Sequence, residues 1–330
     1  MVRAPVSMAT PRILSGIKPT GQPHLGNFFG MMRPAIDWQE KGEAFYFIAD
    51  YHALTTVRDP AALREFSRAV ALDFLACGLD PAKAVLFRQS EVPEVTELSW
   101  ILSCVAPMPM LENCHAYKDY VAREKVPNHG LFAYPVLMAA DILIYDSNVV
   151  PVGRDQRQHV EVTRDLAQKM NALYGEIFAV PESSILPTMA TIPGLDGQKM
   201  SKSYGNTIGL FEEEKALRKK IMSIVTDSSP VDQPKDPAGS AILGLYRLVA
   251  GESDVAQMEA DFQAGGIGYG DFKKRLFDAL WEYFAPMRTR RAEIASDPQY
   301  LDRVLVDGSV RASEAARRTM SRVRRAVGLR

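Results

Sequence analysis

Cysteine is scarce in this chain: Cys77, Cys104 and Cys114 are the only three in 330 residues, with no CxxC spacing and no histidine at metal-ligand spacing beside them. That excludes a disulfide framework, a zinc module and a thiolate-held cluster, and leaves reduced, structural thiols as the expectation. Long apolar runs are also missing. The most apolar stretch, 131–145, falls short of the ~20 residues of a membrane span and carries Asp141. Residues 1–11 lack an apolar signal core and read as a loose extension, so a cytoplasmic protein without a membrane segment is expected. No GxxxxGK[ST] loop occurs, which excludes a Walker-type phosphate site. Charge of one sign is absent too: 39 Lys and Arg meet 40 Asp and Glu, for a net charge of −1. Any nucleic acid partner must therefore be met by a local basic surface.

What is present is an ordinary globular composition, 47% hydrophobic and 24% charged, long enough for two domains at a prior of about 150 residues each. Strand patterns at 12–19, 44–49, 84–87 and 148–152 alternate with helical patterns at 25–41, 60–78, 93–105, 109–125, 131–145 and 155–174. Strands alternating with helices predict an α/β fold with a doubly wound, Rossmann-like parallel sheet. The segment 181–203, rich in Pro, Gly, Ser and Thr, reads as a long irregular loop. Beyond it only helical patterns remain, at 212–225, 238–250, 253–264, 269–295 and 312–327. The expected organisation is the extension 1–11, an α/β domain 12–210 and an all-helical domain 211–330.

Several groups of residues carry chemistry. His24 and Asn27, in Pro23-His24-Leu25-Gly26-Asn27, sit three apart at the start of the first helix, where free N–H groups and the helix dipole favour anions. Gly26 between them leaves room for a flat base against the backbone; a simple helix cap accounts equally well for the pair. Lys199-Met200-Ser201-Lys202-Ser203, flanked by glycines, offers two cations and two hydroxyls to a polyphosphate, against the alternative of a solvated basic loop. Tyr134, Met138 and Asp141 fall on one face of an apolar helix. A carboxylate there needs a donor, either an arginine from elsewhere or the N–H or O–H of an aromatic ligand. Val150 to Gln156 forms a strand end, a turn glycine and a helix start, a ligand-binding position in doubly wound sheets. His52 follows the second strand.

The first two motifs together resemble the class I aminoacyl-tRNA synthetases, with His24 to Asn27 as the HIGH-type signature and Lys199 to Ser203 as KMSKS, letter for letter. The Asn27 form and the stretch YPVLMAADIL at 134–143 are similar to the tryptophanyl family. That resemblance covers residues 12 to the C-terminus and implies ATP-dependent activation of L-tryptophan and its transfer to tRNA(Trp), with ATP and Mg²⁺ as cofactors, the metal held through the nucleotide. It implies Lys199, Lys202, His24 and Asn27 as catalytic residues. The ATP side would be Lys18, Thr20, Gly26, Asn27, Gly153, Asp155 and Lys199, Met200, Ser201, Lys202, Ser203. The tryptophan side would be Asp141, Met138, Tyr134, Gln156, His52, Leu14, Val150 and Val152, with Leu14 standing where many bacterial relatives carry Phe. A homodimer is implied as well. The helical domain is expected to read the anticodon through Arg288, Arg290, Arg291, Arg317, Arg318, Arg322, Arg324 and Arg325. Tyrosine activation, a small-molecule nucleotidyltransferase and a non-catalytic amino-acid sensor are the competing readings.

Overall fold

The computed structural model describes residues 10–122, 126–152, 156–185 and 192–329. Strand β2 (Glu43–Ile48) is buried along all but its first residue, as a strand covered on both faces must be. It lies between β1 (Arg12–Ile17) and β3 (Ala84–Arg88), and β4 (Val149–Val152) and β5 (Glu182–Ile185) extend the sheet beyond β1. The order is β3-β2-β1-β4-β5 and every pairing is parallel. The chain therefore winds one way from β1 to β3 and the other way from β4 to β5. That puts the switch between β1 and β4, where such sheets open a crevice at the strands' carboxyl ends.

After β1 come α1 (Leu25–Asn27), a π-helical turn and α2 (Arg33–Trp38), which share the span expected as one helix. The helices α3 (Asp50–Ala53), α4 (Pro60–Ala76), α5 (Glu94–Ser103), α6 (Met108–Glu112), α7 (His115–Ala122), α8 (His129–Ile144) and α9 (Arg157–Tyr174) complete the α/β half. The helical half holds α10 (Glu214–Met222), α11 (Ala241–Tyr246), α12 (Glu252–Ala264), α13 (Tyr269–Tyr283), α14 (Ala285–Ser296) and α15 (Pro298–Ala326).

Four expectations need correction. The helix at 109–125 is two helices, α6 and α7, parted at Asn113 and Cys114. The helix at 269–295 breaks at Phe284, and Pro286 stands in the first turn of the new helix α14, where its missing N–H costs nothing. The segment 181–203 is not wholly irregular, because Glu182–Ile185 pairs with β4. The last helix begins at Pro298, not 312, with Asp297 accepting from Tyr300 N at 3.0 Å.

Two cores flank the sheet. One joins Ile13, Ala44, Tyr46 and Leu86 to Leu25, Phe28, Met200 and Ile208, and continues into the helical half through Leu217, Phe272 and Phe284. The other joins Leu14, Phe45, Val85 and Val150 to the inner faces of α5, α8 and α9 and the C-terminal part of α15. Helix α15 runs along β3, the edge strand, and brings Gly308 against its backbone, covering an edge that would otherwise be free to pair with another chain. Among the described residues no helix is long and apolar enough to cross a membrane.

Candidate active site

The sequence motifs converge at the carboxyl ends of the strands. Leaving β1, the chain makes a turn in which Lys18 Nζ donates to Thr55 Oγ1 at 2.8 Å and Thr20 is exposed. Burial lowers the Lys18 pKa. His24 begins α1, and its backbone N–H donates to Asn27 Oδ1 at 3.1 Å, so Asn27 works here as a helix cap. The His24 ring is 7% exposed, and its Nδ1 has no hydrogen-bond partner among the described residues. Burial, with the charge of Lys202 second, brings its pKa down to about 4, so the imidazole is neutral near pH 7.

The lysine loop lies directly on this helix start. Leu25 N donates to Ile208 O at 2.9 Å, Leu210 N to Pro23 O at 3.0 Å, and Gly26 N to Met200 Sδ at 3.3 Å. Met200 is buried, which the basic-loop alternative would not require. A Cβ on Gly26 would stand 2.9 Å from the His24 ring, so glycine is needed for this packing. The Lys202 ammonium reaches the turn at Gly21, 3.2 Å from where a Cβ would sit, and desolvation lowers its pKa. Lys199 and Ser203 are exposed, and Ser201 Oγ and Ser203 Oγ lie 2.8 Å apart. The loop is tied by Asn206, which sequence reasoning missed. Its Oδ1 accepts from Ser201 N at 2.8 Å, while its Nδ2 donates to Asp196 at 2.8 Å and to Lys199 O at 3.1 Å. An isolated polar residue after a glycine carried no periodic signal.

On the other side of the crevice, α8 carries Tyr134, Met138 and Asp141 on one strip, with Asn128 capping Leu131 N at 2.9 Å. Asp141 is 2% exposed, and among the described residues no guanidinium reaches it. Its partners are His52 Nε2 at 2.8 Å and Gln89 Nε2 at 2.8 and 2.9 Å. Burial raises its pKa, opposed by these two donors. His52 thus joins Asp141, and its ring stands edge-on to Tyr134 with centroids 6.1 Å apart. The Tyr134 hydroxyl bonds His159 Nε2 at 2.6 Å. Gln89 is a second residue missed by sequence reasoning; the available signal was a polar side chain directly after an apolar strand. Behind His52, the buried Asp50 accepts from the backbone N–H groups of Tyr51 and Ser90, each at 3.0 Å, and from the Ser90 hydroxyl.

Leu14 and Val150, on adjacent strands, are both 2% exposed and belong to the second core. Met138 packs half-buried against that core, and Gln156 stands at the start of α9. Val152 ends β4; Gly153 and Asp155 lie outside the described residues. The arrangement joins a helix start to a loop bearing Lys199 and Lys202, and sets a buried acceptor, Asp141, on the strip of α8 that bears Tyr134 and Met138.

Six of the eight arginines expected to meet the anticodon also make contacts within the chain. Arg291 Nε meets the buried Asp73 at 2.7 Å, Arg290 Nε donates to Leu75 O at 2.9 Å, and Arg288 donates to Trp281 O at 2.6 Å while lying over its ring. Arg317, Arg322 and Arg324 bond Glu94, Asp146 and Glu97. Only Arg318 and Arg325 of the eight have no such contact among the described residues; the rest stitch the helical half to the sheet half or to itself.

Residues 8–285 match the family model described as tRNA synthetases class I (W and Y). The tryptophan--tRNA ligase of Rhodopirellula baltica is 54% identical over 319 residues, covering 97% of this chain and 100% of that protein. That of Fusobacterium nucleatum is 48% identical, covering 96% and 98%. Among solved structures, the tryptophanyl-tRNA synthetase from Campylobacter jejuni complexed with ADP and tryptophan superposes with a TM-score of 0.90 at 45% identity, covering 96% of this chain and 99% of that one. With its helix-start and lysine-loop motifs in contact at the mouth of a doubly wound sheet, and relatives matched from end to end, the chain belongs to the class I tRNA synthetases of the tryptophan and tyrosine family.

Proposed function

We propose that this protein activates L-tryptophan with ATP and transfers the tryptophanyl group to tRNA(Trp). The observation that carries the reading is Asp141, a buried carboxylate with two donors and, among the described residues, no arginine, on the strip that also bears Tyr134 and Met138. An acceptor of this kind meets the indole N–H, and a site built around it rejects a ring without a donor by ~10⁴–10⁵. In this reading Tyr134 and Gln156 hold the substrate ammonium, and Leu14, Met138, Val150 and Val152 wall the ring. The tryptophan carboxylate, already ionised at neutral pH, attacks the α-phosphorus of ATP in line; the bond to the bridging oxygen breaks and pyrophosphate leaves. Lys199 and Lys202 neutralise the charge that develops there, and no general base is required. His24, whose Nδ1 has no partner among the described residues, and Asn27 line the phosphate path beside Lys18, Thr20, Gly26, Met200, Ser201 and Ser203, with Gly153 and Asp155 completing the ATP side. Mg²⁺ supplies further neutralisation of the phosphates when bound. The terminal adenosine hydroxyl of the tRNA then attacks the adenylate carbonyl and displaces AMP.

The α/β unit 12–210 would do this chemistry in the cytoplasm, and the helical unit 211–330 would receive the tRNA. We also infer a homodimer formed through α5–α7, where Trp100, Met108 and Val121 are 71%, 59% and 48% exposed. ATP–pyrophosphate exchange with tryptophan, tyrosine and phenylalanine offered separately tests the reading. Tryptophan alone should support exchange, and exchange with tyrosine instead would overturn it. Lys202→Ala should slow exchange at saturating substrate while barely changing tryptophan affinity, the pattern of a group acting in the transition state.

A further inference from the structure

Gln89 has no part in the family-derived set of site residues, yet it is 1% exposed and makes the most complete contact with the acceptor. Its position at the carboxyl end of β3 aims the amide across β2's end to α8. There Nε2 donates to Asp141 Oδ1 at 2.8 Å and to Oδ2 at 2.9 Å, and Oε1 accepts from His52 N at 3.4 Å. Each carboxylate oxygen has two lone-pair sites. Oδ2 is filled by His52 Nε2 and Gln89; Oδ1 is filled by Gln89 once, leaving one site unclaimed among the described residues.

Resting on the tryptophan reading, we propose that Gln89 is the positioning residue for substrate selection: by bridging both oxygens of Asp141 it holds the carboxylate as an acceptor and leaves Oδ1 alone to take the ring N–H. A neutral amide suits this task better than a cation. An arginine there would fill the remaining lone pair, whereas the amide leaves it open while still favouring the ionised acid. The other ionisable groups facing Asp141 are His52 from α3, Asp50, whose charge opposes ionisation, and Tyr145 at the end of α8, whose phenol is pushed up by burial and by Asp141. Without Gln89, Asp141 would keep only His52 among the described residues to oppose its burial, and its ionised form would be less favoured. Asp141 would then accept the ring N–H less reliably.

The test compares tryptophan with its benzothiophene isostere, which keeps the bicycle and lacks the N–H, in ATP–pyrophosphate exchange. The ratio of the two kcat/KM values is independent of the fraction of enzyme that is folded. Gln89→Met should shrink this ratio about tenfold or more, raise the KM for tryptophan and leave the KM for ATP unchanged. The tryptophan defect should diminish as pH rises, since rising pH favours the ionised carboxylate. An unchanged ratio, or a KM raised equally at every pH, would overturn the proposal, since packing alone has no such pH signature. If Gln89→Met does not fold, Gln89→Asn, which withdraws the amide by one methylene, decides by the same ratio: a partial loss supports the bridge and no loss refutes it. Wild-type enzyme that exchanges with neither compound would instead refute the tryptophan reading itself.

Discussion

His24 is held neutral by its surroundings. Burial and then Lys202 bring its pKa from 6.5 to about 4, so between those values the unfolded chain binds a proton that the folded chain does not. Stability from this group is therefore present above pH 6.5 and lost as pH falls through the window, by up to about 3 kcal/mol. Asp73 acts with the opposite sign. Burial outweighs Arg291 and raises its pKa from 3.8 to about 6, so its contribution grows as pH falls through that range. Thermal midpoints measured from pH 7 to 4 should fall less steeply in His24→Gln than in the wild type; parallel profiles would show that the imidazole is not desolvated as described. At this scale His24, Lys202 and Asp141 stood out as candidates from residue type and place in a motif. Gln89 and Asn206 did not, because a single buried amide has no periodicity and its role exists only through neighbours 52 and 10 residues away.

Helix α15 shows how an element's context reverses a local rule. Glycine inside a helix costs about 1 kcal/mol relative to alanine, and Gly308 sits in mid-helix. A Cβ there would stand 1.9 Å from the Leu86 carbonyl oxygen on β3. Gly308→Ala should therefore lower stability by about 2 kcal/mol or more as the helix is pushed off the strand. Gly270→Ala, in the first turn of α13 with nothing within 4 Å, should raise it by about 0.5–1 kcal/mol. Equal shifts of both variants in thermal denaturation would contradict the packing. The same glycine, with the β-branched residues around it, hid the first half of α15 from sequence patterns. Strand β5 was hidden for another reason: Glu-Ser-Ser-Ile is short and polar, and pairs only with β4. Apolar strands such as β2, buried on both faces, declared themselves.

For the whole molecule, the junction between the halves is packed and pinned. Phe28 and Phe29, directly after the His24 helix start, stack edge-on against Tyr283 and Phe284 of the helical half, with Phe28 and Phe284 centroids 5.1 Å apart. Arg291 reaches Asp73 beneath them. The His24 helix start and the helical unit are thus one packed body. Self-association belongs to this scale as well. Trp100→Asp combined with Met108→Asp should convert a sedimenting species of twice the chain mass to one of chain mass, and a wild-type protein that sediments at chain mass would sink the dimer.

The amino-acid sequence by itself determined the α/β alternation, the parallel sheet, and the motifs that mark the family, because apolar periodicity and turn chemistry act over a few residues. Only tertiary structure decided which charges face inward, how α15 closes the sheet edge, and that Asp141 is shared by His52 and Gln89. Those outcomes depend on desolvation and pairing between segments far apart in the chain, and no local pattern encodes the partner.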